Sequence, residues 1–139
     1  MAPYWEHYVH EADIGVRGIG DSTDAAFEQA ALALTAVVTD PAIVKPVKTI
    51  TLHCHCNDTD ILFLDWLNAI IFEMSYKKML FSRFRVTISG GSLSAELKGE
   101  KVDIKRHQPV VEIKGATFTT LKVAQNKSGE WIAQTVVDV

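Results

Sequence analysis

Two segments of this chain place apolar residues at helical spacing, the first with a second flank also rich in Ala and Leu, and most of the remainder alternates with the period of a β-strand. In the first, Phe27, Ala30, Ala31, Leu34 and Val38 form a stripe behind a cap from Asp21 or Ser22, with Asp24, Glu28 and Thr35 placed off it. The second follows the capping run Asn57-Asp58-Thr59-Asp60 and carries Phe63, Leu67, Ile70, Ile71 and Met74, with Asp65 and Asn68 on another flank and an end near Tyr76. A helix that is apolar on several sides has to be covered on several sides. Short strands cover it by pairing into a sheet on which it packs.

The strands follow from alternation and turn residues. Tyr4 to Tyr8 and Ile14 to Ile19 read as two short strands, the second closed by Gly18 and Gly20, and Lys48 to Cys56 alternates Ile50 and Leu52 with Thr49, Thr51 and His53. Phe84, Val86 and Ile88 alternate with Arg83, Arg85 and Thr87, and Ser89-Gly90-Gly91-Ser92 turns them back into Leu93 to Leu97 as a hairpin. Val110 to Val123 is predicted to be one long strand, turned at Asn126-Lys127-Ser128-Gly129 and returned by Trp131 to Val139. Antiparallel pairs with two buried helices define an α+β fold, a predominantly antiparallel sheet with the helices packed against it. No repeat, linker or low-complexity stretch divides residues 1–139, so a single domain is expected.

Composition narrows the setting. With 47% hydrophobic and 22% charged residues the chain suits one soluble domain. It has no apolar run near the ~18 residues of a membrane span and no signal peptide, so a cytoplasmic location is expected. Cys54 and Cys56 are too close in sequence for an ordinary disulfide and should be reduced thiols. A net charge of −3 and a pI near 5.9 predict no direct nucleic-acid binding. Any role in RNA metabolism would then run through a protein partner.

The candidate chemistry sits at the two ends. Asp13 interrupts His10-Glu11-Ala12-Asp13-Ile14-Gly15-Val16, and Asp138 interrupts the apolar run Ile132 to Val139. Carboxylates buried in such runs need a partner or a cation. If the first and last strands are neighbours, Asp13, Asp138 and the final residue could share a hard ion such as calcium or magnesium, whereas strand-end carboxylates at the surface are the plain alternative. His7, His10 and Glu11 lie nearby, and His10 as a ligand would shift preference toward zinc or manganese. His53-Cys54-His55-Cys56 contains four metal-capable groups, but a strand sends its histidines to one face and its cysteines to the other. Glu112 and Lys114, alternating with Val111 and Ile113, are expected on a common polar side. The sequence has no Gly-x-Ser-x-Gly elbow or phosphate loop, and Gly15, Gly18 and Gly20 lack the dinucleotide-binding spacing. A small metal-dependent phosphoesterase using Asp13 and Asp138, with His10 as acid or base, is the enzymatic alternative; a cation that only pins the chain ends together is another.

Several stretches together resemble the archease family over nearly the whole chain. The segment His10 to Val16, followed by Ala26-Phe27-Glu28-Gln29-Ala30-Ala31 and closed by Thr39-Asp40, resembles the family's opening motif and first helix. Leu62-Phe63-Leu64-Asp65-Trp66-Leu67-Asn68 is similar to its second helix, Glu112-Ile113-Lys114-Gly115-Ala116-Thr117-Phe118 to its long-strand motif, and Val136-Val137-Asp138-Val139 to its acidic chain end. The resemblance implies a non-enzymatic cofactor of the RtcB-type RNA ligase, the GTP-dependent enzyme that joins RNA ends in tRNA splicing and RNA repair. Such a cofactor promotes guanylylation of the ligase and its multiple turnover. It further implies a divalent cation, calcium with magnesium or manganese as alternatives, at Asp13, Asp138 and Val139, and a part in ligase activation for Asp13, Lys114 and Asp138. Glu11 stands where family members usually carry Thr, and Thr119 where many carry His.

Overall fold

Alternating burial fixes strand register. In the computed structural model, which describes residues 2–139, it yields two antiparallel sheets where one was expected. The first sheet orders β1 (Tyr4–His10), β2 (Asp13–Gly20), β8 (Trp131–Asp138) and β6 (Gly115–Ala116), and β7 (Lys122–Gln125) also pairs with β8. The second places β5 (Ser92–Lys101) between β3 (Lys48–His55) and β4 (Met79–Ser89). Helices α1 (Thr23–Val38) and α2 (Thr59–Tyr76) bridge the sheets, α1 packing on β2 and β4, α2 on β3, β4, β6 and β7. The α+β class and both helices agree with the sequence reading.

Both helices start where their caps dictate. The Ser22 hydroxyl accepts from Ala25 N–H at 3.1 Å and the Asp58 carboxylate from Ile61 N–H at 3.1 Å. Trp66, fully buried, donates its indole N–H to the Phe27 carbonyl at 3.1 Å and so ties α2 to α1. Gly18 does more than end a strand. A β-carbon there would run into the Ala26 carbonyl oxygen and the Ala30 backbone nitrogen, so the backbone of α1 lies directly on β2.

Thr35, expected off the apolar stripe, is fully buried because α1 is covered on that side by β4. The β4–β5 ladder skips a residue between Phe81 and Arg83, and at this bulge the Thr35 hydroxyl donates to the Phe81 carbonyl at 2.8 Å. Glu28 works similarly. As β4 is an edge strand, its Val86 N–H would lack a ladder partner, and a Glu28 carboxylate oxygen accepts from it at 2.8 Å.

The predicted long strand over Val110 to Val123 is not formed. Only Gly115–Ala116 and Lys122–Gln125 pair with β8, and Thr120 between them has φ +54°. Threonine chemistry breaks the ladder: both the amide and the hydroxyl of Thr117 donate to the Val136 carbonyl, at 3.0 and 2.8 Å, while Val136 N–H donates to the Thr119 carbonyl at 3.1 Å. Upstream, Val110 N–H donates to the Val38 carbonyl at the end of α1, at 3.0 Å. Ile113 is buried whereas Val111, Glu112 and Lys114 are exposed, so strand alternation does not describe these residues.

A short helix, α3 (Ile104–His107), lies outside the sequence reading and is held by a buried network. His107 Nδ1 accepts from Asp103 N–H at 2.8 Å, which leaves the proton on Nε2 to donate to Glu100 Oε2 at 2.9 Å. Arg106 donates to Glu100 Oε1 at 2.6 Å and to the Ile43 carbonyl at 2.8 Å, and Lys45 N–H donates to Glu100 Oε2 at 2.7 Å. The Arg106 guanidinium, with these amide and imidazole donors, holds the Glu100 carboxyl down at about 2 against burial.

Two outcomes follow. Gly18→Ala is expected to destabilise the protein by at least about 1–3 kcal/mol in urea unfolding, since backbone has to move. Glu100→Gln is expected to lower stability fully above about pH 4.5, the ordinary carboxyl value, with the gap to the wild type closing as pH falls toward 2. Urea melts across that range measure it.

Candidate metal centre at the paired chain ends

The first and last strands are neighbours. β2 and β8 pair from Ile14 opposite Val137 to Gly20 opposite Trp131, and one further step in that register sets Asp13 opposite Asp138. On the flanks, His10 of β1 is opposite Asp13 and Gly115 of β6 is opposite Asp138. Residues directly opposite on adjacent strands project to one face with β-carbons about 4.5–5.5 Å apart. One row across four strands therefore carries His10, Asp13 and Asp138.

The row is more open than the sequence implied. Asp13 is half-buried and Asp138 exposed, because both lie where their strands end, so the argument from costly burial of charge does not apply. What remains is like charge. Two carboxylates face each other across the pair, neither is in an ion pair among the described residues, and such opposition is unfavourable. Among the described residues no group of three or more His, Cys, Asp or Glu side chains converges as a metal cage. The donor set is thus two carboxylates at an open edge. Hard cations take such oxygen donors with the balance from water or backbone oxygen.

Neighbouring segments fix this edge in place. Lys114, exposed, donates its backbone N–H to the Asp138 carbonyl at 2.7 Å, which sets it beside the acidic row. The Asn68 side-chain oxygen of α2 accepts from Ala116 N–H at 2.9 Å, and the Val139 side chain packs against the core. On the same face, the Tyr8 ring lies over Gly15, which leaves no room for a β-carbon. The Arg17 guanidinium stands 4.4 Å from that ring's centroid and donates to Gln134 and Glu6, each at 2.8 Å, and the Tyr8 hydroxyl bonds the Thr120 hydroxyl at 2.6 Å. Burial pushes the Tyr8 phenol up, and it stays a protonated, structural group.

The four residues at 53–56 divide between faces as strand geometry requires. His53 and His55 are exposed, with Nδ1 at 3.2 and 2.9 Å from the Ser94 and Ser92 hydroxyls, while Cys54 and Cys56 are half-buried free thiols packed against the core. Burial, with Asp65 nearby, pushes the Cys54 thiol up.

The family described as "Archease protein family (MTH1598/TM1083)" matches residues 5–139. The chain belongs to the archease family. Relatives named "Protein archease" from Pyrococcus abyssi and Sulfurisphaera tokodaii are 34% identical over 139 and 137 residues respectively, each alignment covering 97% of this chain and 98% of the relative. The solution structure of Methanobacterium thermoautotrophicum protein 1598 superposes with a TM-score of 0.85 at 27% identity, covering 97% of this chain and 98% of that one. The archease motifs quoted from the sequence thus fall on β1, β2 and α1, on α2, on the segment through β6, and on the end of β8.

Asp13, Asp138, Val139 and Lys114, read from sequence, lie at one edge of the archease fold. Tyr8, Arg17, Thr120 and Asn68, which shape that edge, carry no local signal, since their partners are 48–117 positions away, Arg17 to Glu6 excepted. Asn68→Ala removes the side-chain acceptor for Ala116 N–H. It is expected to cost about 1 kcal/mol in denaturant unfolding and to speed hydrogen exchange at the Ala116 amide.

Proposed function

We propose that the protein is a non-enzymatic activator of an RtcB-type RNA ligase in tRNA splicing and RNA repair, working in the cytoplasm and promoting guanylylation and multiple turnover of the ligase. The observation that carries this reading is the opposed pair Asp13 and Asp138, without ionic partners among the described residues and beside exposed Lys114, in a member of the archease family.

Asp13 and Asp138, with an oxygen of Val139, would hold a divalent cation, with calcium the best fit to oxygen-only donors and magnesium or manganese as alternatives. When bound, such an ion neutralises charge on phosphate oxygens. Lys114 offers an ammonium at the same edge and can take a second phosphate oxygen. Phosphoryl transfer gains chiefly from positioning and charge stabilisation, so a partner edge with these groups assists a ligase without supplying a catalytic base.

A protein surface lies next to this edge. Asp65, Asn68, Phe72 and Tyr76 make the exposed stripe of α2, and Asn68 anchors β6. One turn beyond it, Phe72 and Tyr76 stack in the open at 5.1 Å between ring centroids. Exposed aromatics beside charged groups are what protein hot spots are made of.

Asp13→Ala, Asp138→Ala and Lys114→Ala are each expected to lower stimulation of single-turnover guanylylation by roughly 10–100-fold with the cognate ligase. Stimulation equal to the wild type by Asp13→Ala and Lys114→Ala would sink the reading. Calcium at about 100 times its dissociation constant is expected to raise the wild-type Tm by roughly 5–15 °C and to leave Asp13→Ala unmoved in the same melt.

A further inference from the structure

Charge is unevenly distributed over this fold. Residues 45–56 and 77–106, which contain the three-stranded sheet and its flanking turns, hold ten lysines and arginines against three acidic residues. That is a net charge of +7 within a chain of −3, which leaves −10 on the rest.

Three of these cations, Arg83, Arg85 and Lys98, stand together on the outward face of this sheet. Its rows run Arg83–Lys98–Thr49, Arg85–Glu96–Thr51 and Thr87–Ser94–His53 across β4, β5 and β3. Lys98 is half-buried and the other eight are exposed, whereas the alternate residues Phe84, Val86, Leu97, Ala95 and Leu52 pack inward. No element covers this face among the described residues. The chain has four arginines, and two are occupied: Arg17 by Glu6 and Gln134, Arg106 by Glu100 and the Ile43 carbonyl. Arg83 and Arg85 have no hydrogen bond or ion pair among the described residues, nor does Lys98. These three cations also line one groove of about 400 Å³ where α1 passes β4, together with Glu28, Gln29 and Phe84.

We infer that this open face binds the phosphate backbone of a single-stranded polynucleotide, without regard to sequence. Guanidinium forks match phosphate oxygens, and hydroxyls of Thr49, Thr51, Thr87 and Ser94 supply further donors between them. Arg83 and Arg85, two residues apart on one strand and so about 6.7 Å apart, can take successive phosphates. Glu96, the one carboxylate in these rows, keeps the face from being uniformly positive, which favours a strand that follows the Arg83–Lys98 row over a broad duplex contact. One feature argues against a protein occupant. Among the described residues these rows include no large hydrophobic, with exposed Val47 at their margin two residues before Thr49, so the face lacks the aromatic anchors of protein hot spots. His53 is the one ring in the rows, so recognition is chiefly of backbone and charge. The face is separate from the Asp13 edge, and the inference stands independently of the cation.

Fluorescence anisotropy of a short labelled oligouridylate tests it. The wild type is expected to bind at about 50 mM salt and to weaken roughly 10–20-fold by about 200 mM, a log–log slope of about −2 for three cations on a single strand. R83Q/R85Q/K98Q is expected to lose at least tenfold at low salt, while Asp13→Ala binds as the wild type does, so failure of the cation reading and failure of this one are distinguishable. If the triple variant does not fold by circular dichroism, R85Q alone is expected to reduce the slope by about 0.7. The inference is overturned if the wild type does not bind at about 50 mM salt, if the folded triple variant or R85Q binds unchanged with an unchanged slope, or if poly-glutamate of equal charge competes as well as oligouridylate, which would make an acidic protein surface the occupant.

Discussion

The pairing of β2 with β8 sets both the interior and the site. Its seven residue pairs join segments more than 110 positions apart, so every other strand of the first sheet is placed by reference to them. Val16 and Val137 are fully buried, and Gly18 is opposite Ala133, a pair of small residues that gives α1 its close seat. The same register sends Asp13 and Asp138 together to an edge. A one-residue slip would turn each set to the wrong side at once, so core packing is what holds the carboxylates opposite one another.

Helices and hairpins were legible because each is written in local terms. Ser22 and Asp58 mark helix starts, Gly90-Gly91 marks a turn, and periodicity marks what is buried. The misreadings arose where side chains compete with the backbone. In Val110 to Val123 the apolar alternation suits a strand, but Thr117 uses both its amide and its hydroxyl on one carbonyl and the ladder ends after two residues. Thr35 was misplaced because the sequence cannot show that a bulge at Ser82 brings the Phe81 carbonyl to α1. Glu100, Arg106 and His107 were missed because neither periodicity nor spacing records that a carboxylate at the end of one strand is what three donors, one from a loop and two from α3, converge on.

Averages over the chain hid another feature. A net charge of −3 argues against a polyanion as partner only if charge is evenly spread, and here residues 45–56 and 77–106 hold ten of the fourteen lysines and arginines but three of the seventeen acidic residues. Helices α1 and α2 pack on both sheets and separate much of the two surfaces, with Glu28 of α1 the acidic residue that reaches the groove of Arg83, Arg85 and Lys98. The segregation was in the sequence all along, as the run from residue 77 to 106. It acquires meaning only when β4 and β5 turn Arg83, Arg85 and Lys98 to one open side.

The exposure of the acidic row bears on what a cation could do there. Had Asp13 and Asp138 been buried, their desolvation would have made an ion a condition of folding, as in small domains built around a metal. At a solvated strand end, repulsion between two carboxylates is screened and small beside the seven-pair ladder and the core behind it. Folding therefore does not depend on an ion at this edge, and under the proposed reading an ion held by the two carboxylates would be reached from solvent beside exposed Lys114. A solvated site that the ladder and the core do not need suits action on a partner, the role proposed for it.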